Sequence, residues 1–228
     1  MPLASIIVND RGSQPKPGEV SLAHHGVLFL DELPEFQRKV LEVLRQPLES
    51  QHITISRAAQ QQTFPAQFQL IAAMNPCPCG YAFNQDTRCT CSAETIRRYQ
   101  SKISGPLLDR IDLHVEMPPL TAHELQDQHI PETSAQVQSR VILAHQLQLK
   151  RQQKTNQALS TQALERHAQL DNACKHIFSL AQQRLNLSAR GYHRILKVAR
   201  TIADLDQSKD IHVQHLTEAL SFRSPFDH

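Results

Sequence analysis

Gly26-Val27-Leu28-Phe29-Leu30-Asp31-Glu32 is the stretch on which the fold turns. Four apolar residues run unbroken between a glycine and two acids, which reads as a strand buried on both faces of a parallel sheet. A helix is expected next: Phe36, Val40, Leu41 and Leu44 recur at helical spacing up to Gln46, and Pro47 then disfavours continuation. Open α/β sheets built from such strand-to-helix units bind ligands at the carboxyl ends of their strands. Asp31 and Glu32 stand at that end. Adjacent acids at one strand tip suit phosphoryl transfer from ATP to water, because one carboxylate holds hydrated Mg²⁺ and the other orients or deprotonates the attacking water. Asp31 takes the metal in this reading and Glu32 the water. The same pair also charges the start of the following helix, where acids are favoured without any ligand.

Downstream, Ile53-Thr54-Ile55-Ser56-Arg57 alternates as a half-exposed strand, Ala58 to Gln62 turns the chain and Thr63-Phe64 return it, giving a protruding hairpin. Phe68 to Met74 reads as a second buried strand that ends on Asn75-Pro76. A third strand is expected over Ile111–Met117, where Ile111, Leu113, Val115 and Met117 share one face. The texture changes at Pro118-Pro119, so the expected domains are 1–119, an α/β core, and 120–228, an all-α domain. In the second domain Thr121-Ala122-His123-Glu124 is a capping-box pattern and Ser134 caps a long helix reaching about Gln153. Cys174, Ile177, Phe178, Ala181 and Leu185 trace an apolar stripe. Ser188 opens a helix carrying Tyr192, Ile195, Leu196, Ala199, Ile202 and Ala203, and a last helix spans Val213 to Phe222.

The acid pair lies within GEVSLAHHGVLFLDELPEF, which resembles the Walker B region of the magnesium-chelatase-like AAA+ ATPases, specifically the ComM/YifB family. Further segments resemble that family in the same order: Ile53–Arg57, Ala72–Gly80, Gly105–Asp112 and Ser188–Arg194. The resemblance covers about Pro17 to Arg223 and implies an incomplete AAA+ P-loop-type core with a parallel sheet and a β-hairpin insertion, followed by a helical lid. It also implies a role for each matched residue. Asn75 becomes sensor 1, a strand-tip amide contacting the γ-phosphate or its attacking water; Arg110 becomes an arginine finger reaching a neighbouring subunit's nucleotide; Arg190 becomes sensor 2, with Arg194 one turn on as the reserve candidate. Simpler readings stand beside these: Asn75 as a turn residue before proline, and Arg110 paired with Asp109, Asp112 or Glu116. The family further implies a homo-oligomeric ring, a hexamer in the complete protein, acting on DNA as a branch-migration or helicase motor in natural transformation. A metal-chelatase ATPase subunit and a non-catalytic module that joins rings of a relative are the alternatives. Arg57 in the hairpin, and Arg97 and Arg98 beside Tyr99, are the candidate DNA contacts, although solvated cations explain them equally.

Four of the five cysteines form Cys77-Pro78-Cys79 and Cys89-Thr90-Cys91. Paired thiolates of this kind can close a tetrahedral Zn²⁺ site that staples a loop, although the one-residue spacing is tighter than usual. Cys174, on the apolar stripe, reads as a core residue.

Composition bounds the rest. In 228 residues, 24 Lys and Arg against 22 Asp and Glu leave +2, too little to argue for a polyanion by itself. No apolar run is long enough for a membrane span and no secretory signal is visible, so a cytoplasmic protein is expected. Six glycines are few, and none precedes a lysine, so the phosphate loop that such an ATPase requires is missing. The chain therefore reads as a C-terminal portion, expected to bind nucleotide weakly and not to hydrolyse it alone.

Overall fold

The computed structural model describes residues 8–9, 16–57, 60–82, 88–120, 131–185 and 187–223. The chain divides into two compact units, Met1–Ile111 and Asp112–His228. The first begins with a short antiparallel pair, β1 (Val8–Asn9) and β2 (Lys16–Pro17), and one turn of helix, α1 (Glu19–Leu22). Next come β3 (Val27–Leu30), a 3₁₀ turn at Leu33–Glu35, and the helices α2 (Arg38–Val43) and α3 (Arg45–Ser50). The hairpin is β4 (His52–Arg57) paired with β5 (Gln60–Pro65), in register from His52↔Pro65 to Arg57↔Gln60, so its turn is tighter than Ala58–Gln62. β6 (Gln69–Ala72) returns to lie parallel to β3, Val27 opposite Gln69 and Leu30 opposite Ala72. α4 (Ala93–Gln100) and α5 (Gly105–Leu108) complete the unit.

Three expectations are corrected by the fold. The β3–β6 sheet is covered on one face only: Leu28 and Leu30 are buried among Val20, Leu33, Leu41, Leu44 and Ile53, whereas Val27 is 55% exposed, Phe29 60% and Ile71 44%. An unbroken apolar run records that both faces suit burial, and the described residues place nothing over the outer one. The helix does not end at Pro47. It breaks at Leu44 and restarts, so that Pro47 is the third residue of α3, where its missing N–H is one of those a first turn leaves unbonded. Ile111–Met117 joins no ladder among the described residues. Its alternation offers two faces, but Ile111 N–H donates back to the Leu108 carbonyl (3.0 Å), His114 N–H donates to the Phe222 carbonyl (2.9 Å), and Met117 is 79% exposed.

The second unit is helical, with α6 (Ser134–Gln152), a 3₁₀ turn at Asn156–Ala158, α7 (Thr161–His167), α8 (Asn172–Arg184), α9 (Ala189–Leu205) and α10 (Val213–Ser221). The cap of α6 is Thr133 rather than Ser134: its hydroxyl oxygen accepts from Gln136 N–H, and Gln136 Oε1 accepts from Thr133 N–H (2.8 Å). Asp171 caps α8 through Cys174 N–H (2.7 Å), and Ser188 caps α9 through Gly191 N–H (3.1 Å). The expected stripes form the core, with Cys174 and Phe178 of α8 against Ile195, Leu196, Ala199 and Ala203 of α9. Phe178 stacks on Tyr192 with ring centres 4.5 Å apart. The Thr121–Glu124 capping pattern lies outside the described residues. Among the described residues, no helix is long and apolar enough to cross a membrane.

Candidate functional site

Parallel pairing brings the carboxyl ends of β3 and β6 side by side, and two hydrogen bonds fasten them there. Ala73 N–H donates to the Leu30 carbonyl (2.9 Å), and Leu33 N–H donates to the Ala73 carbonyl (3.0 Å). Asp31 and Glu32 therefore leave the tip of β3 directly beside the Ala73-Met74-Asn75 exit from β6, and all three polar side chains are exposed. Asp31 accepts Glu32 N–H on Oδ1 (2.9 Å) and keeps its second oxygen for another partner. Neither acid closes the following turn by a side-chain cap. Glu32 holds a left-handed backbone, φ 51° and ψ 48°, a costly conformation for a residue with a Cβ, of the kind that gathers at functional sites.

α4 flanks this tip. Gln100 Nε2 donates to the Pro76 carbonyl (3.1 Å), and Lys102, just past the helix, pairs with Glu35 (3.4 Å) and lies over the Tyr99 ring. Tyr99 is buried, and its hydroxyl is held above the usual tyrosine range by that burial first, then by the charges of Glu35, Glu32 and Cys77. Arg97 and Arg98 are exposed on the same helix, and Arg98 lines a cleft of about 340 Å³ with Arg38, Glu35 and Lys102. Arg57 ends β4 opposite Gln60, beside the hairpin turn, and its side chain lies outside what the structure describes.

Arg110 follows α5 and is engaged within its own unit. Its Nη2 pairs with Glu49 Oε2 of α3 (2.5 Å), its Nη1 donates to the Pro106 carbonyl (2.7 Å), and its side chain is 9% exposed. That ion pair comes from none of Asp109, Asp112 and Glu116; Glu49, sixty-one residues away, gives no sequence signal. Arg190 and Arg194 belong to the helical unit. Arg190 is exposed in the first turn of α9, and Arg194 Nη1 pairs with Asp112 Oδ1 (2.5 Å).

The four paired cysteines converge on one point. All their sulfurs lie within 4.8 Å of one another. Cys77 Sγ is 3.3 Å from Cys79 Sγ and 3.9 Å from Cys89 Sγ, and Cys79 Sγ is 3.6 Å from Cys89 Sγ. A tetrahedral ion with metal–sulfur bonds of about 2.3 Å requires sulfurs about 3.8 Å apart, whereas a disulfide requires about 2.05 Å. This cluster can hold a metal ion. A backbone hydrogen bond at Tyr81, aided by the Cys77 side chain, pulls the Cys79 thiol down to about 6. Cys91 is pushed up to about 11: a backbone hydrogen bond at Cys79 opposes the shift, but the Cys79 side chain and burial outweigh it. Thiolates this crowded need a cation between them to ionise together. Cys174 stays apart, pushed up to about 11 by burial and unsuited to ligation.

Comparison with known proteins accords with these features. Residues 4–125 match the family described as magnesium chelatase, subunit ChlI, and residues 131–223 match its C-terminal counterpart. The chain is 50% identical to Competence protein ComM of Haemophilus influenzae over 214 residues, 93% of this chain and 42% of that protein. It is 47% identical to YifB of Escherichia coli over the same length and with the same coverage. The chain thus spans less than half the length of these curated relatives. With matched segments running through both units and the strand tips side by side, the chain belongs to the magnesium-chelatase family as a ComM/YifB-like member.

Proposed function

We propose that this chain is the C-terminal part of an AAA+ ATPase that assembles as a ring and works on DNA. The observation that carries the reading is the stitched pair of strand tips, which sets two carboxylates beside one amide at the ligand-binding edge of a parallel sheet. Asp31 would hold Mg²⁺ through its water shell, Glu32 would orient the attacking water and Asn75 would face the γ-phosphate. The phosphate-loop lysine would come from sequence outside these residues. Arg110 would exchange Glu49 for the nucleotide of an adjoining subunit, and Arg190, with Arg194 in reserve, would report nucleotide state through the helical lid. The resemblance to a competence protein favours a DNA motor, hexameric when complete, over a chelatase subunit. The four-thiolate cluster would take Zn²⁺ as a structural ion.

Joining residues 1–228 behind the phosphate-loop half of Haemophilus ComM supplies a complete protein for the test. Its affinity for forked DNA should fall steeply with salt. Replacing Arg57, Arg97 and Arg98 together by alanine should lower the slope of log K against log salt by about 1 for each phosphate that these arginines neutralise. No structure-dependent DNA binding by the complete protein would contradict the motor reading.

A further inference from the structure

We propose that Cys77, Cys79, Cys89 and Cys91 bind one zinc ion, and that this ion fixes where the end of β6 presents Asn75. The sulfur separations fit a mononuclear tetrahedral centre; the cysteines around an iron–sulfur cluster would have to spread over several metal atoms. The position of the centre gives it a second consequence. Asn75 is joined to the ligand Cys77 by Pro76 alone, and proline both fixes its own φ and restricts the residue before it to extended backbone. The chain then turns back on itself. Gly80 N–H donates to the Cys77 carbonyl (3.0 Å), and Gly80 adopts a left-handed φ of 84°. A Cβ on Gly80 would stand 4.0 Å from Cγ and Oδ1 of Asn75, so the metal-binding turn lies against the Asn75 side chain.

The other two ligands reach the same place from the opposite direction. Cys91 precedes Ser92, whose hydroxyl oxygen accepts Thr95 N–H (3.2 Å) and caps α4, and Gln100 of that helix holds the Pro76 carbonyl. Cys77, Pro76 and Tyr99 are buried together at this junction. A metal ion bonded to all four thiolates closes a loop from the β6 exit through the turn and α4 back to Pro76. Without it, that loop keeps the Gln100 hydrogen bond, the packing of Tyr99 and contacts such as Arg88 over the Tyr81 ring. The cysteines are therefore positioning residues for Asn75. The functional weight of the centre rests on the phosphate-facing role given to Asn75, but its test uses no nucleotide, so either reading can fail alone.

The test uses the 228-residue chain. Elemental analysis should find one zinc per chain in the wild type and in Cys174→Ser, and none in Cys91→Ser. Cobalt in place of zinc should give the visible bands of a tetrahedral thiolate site. Hydrogen exchange at residues 73–77 and 92–103 should quicken about tenfold or more when a chelator strips the metal, while the Ile53–Phe64 pairing of the hairpin and the helices of the second unit stay protected. Cys91→His, which keeps four ligands, should retain the metal and the slow exchange that Cys91→Ser loses. A chain that binds no metal would overturn the whole proposal. Metal bound, with exchange at residues 73–77 unchanged by its removal, would overturn the coupling while leaving the site. Should Cys91→Ser loosen the hairpin and the helical unit as well, the chelator comparison on the wild-type chain decides between these outcomes.

Discussion

Asp204→Ala is expected to destabilise the helical unit by about 3–5 kcal/mol, the cost of breaking a buried ion pair by removing one partner. Asp204 is 1% exposed and accepts from three side chains: Arg151 through Nη1 (2.6 Å) and Nη2 (2.9 Å), Arg200 through Nε (3.2 Å) and Asn156 through Nδ2 (2.8 Å). Arg200 is equally buried, and its remaining partners are the carbonyls of Ser208 (2.6 Å) and Lys209 (2.8 Å), which satisfy its N–H groups without cancelling its charge. Burial already holds the Arg200 guanidinium below its usual range, with Asp204 as the nearest opposing influence. Removing that carboxylate strands the Arg200 cation in the core and takes one partner from Arg151 and one from the Asn156 amide, which keep Gln152 and Thr201 respectively. For a unit of this size the midpoint of thermal unfolding should drop by roughly 10–25 °C. Asp206→Ala is the control, since Asp206 is itself exposed and bonds one nitrogen of the buried His215 ring (3.1 Å), so its loss should cost about 1–2 kcal/mol. Equal melting shifts for the two variants would refute the account of this network.

Glu32→Gln should lower ATP turnover by the complete chimaera about 10²–10⁴-fold, the range for loss of a positioned general base. The substitution keeps size and exposure while removing the charge proposed to orient water. Asp31 would still hold the metal, so nucleotide affinity should stay close to that of the wild type, and turnover rather than binding should carry the loss. The backbone sharpens the expectation. Glu32 keeps a left-handed conformation that asparagine or glycine would adopt with less strain, and its side chain makes no capping bond that would offset the cost. A residue there only to begin the next turn would gain stability on replacement by glycine and leave turnover untouched. Measuring kcat and nucleotide affinity for Glu32→Gln and Glu32→Gly separates the two explanations.

Local pattern makes some elements legible and leaves others hidden. β3 and β6 announce themselves because apolar runs bounded by Gly26 and Asn75-Pro76 have few other uses, and α8 and α9 because their apolar residues repeat at helical spacing after Asp171 and Ser188. The same reasoning fails where the outcome depends on partners. The apolar run of β3 does not reveal that Val27 and Phe29 face outward, nor does the alternation of Ile111–Met117 reveal that no described strand lies alongside it. The site divides in the same way. That Asp31 and Glu32 leave the tip of β3 and that Asn75 follows the end of β6 is readable from the apolar runs before them, and the cysteine pairs are readable because their spacing is short. Glu49 as the partner of Arg110, and Asp112 as the partner of Arg194, depend on separations of sixty-one and eighty-two residues, which no local pattern encodes. The Arg151–Asp204–Arg200 network offers one local sign, the four-residue spacing of Arg200 and Asp204.

The central claim is that Asp31, Glu32 and Asn75 of one subunit and Arg110 of the next share a triphosphate, and mixing two inactive variants of the complete chimaera tests it most directly. Arg110→Ala and Glu32→Gln should each abolish ATP turnover as pure rings. In an equimolar mixture about one interface in four would join an intact Arg110 to an intact Glu32, because the proposed contact would run head to tail around a ring. The account predicts that the mixture regains roughly a quarter of wild-type turnover. A mixture as inactive as its components, or a pure Arg110→Ala ring that turns over ATP normally, would contradict it.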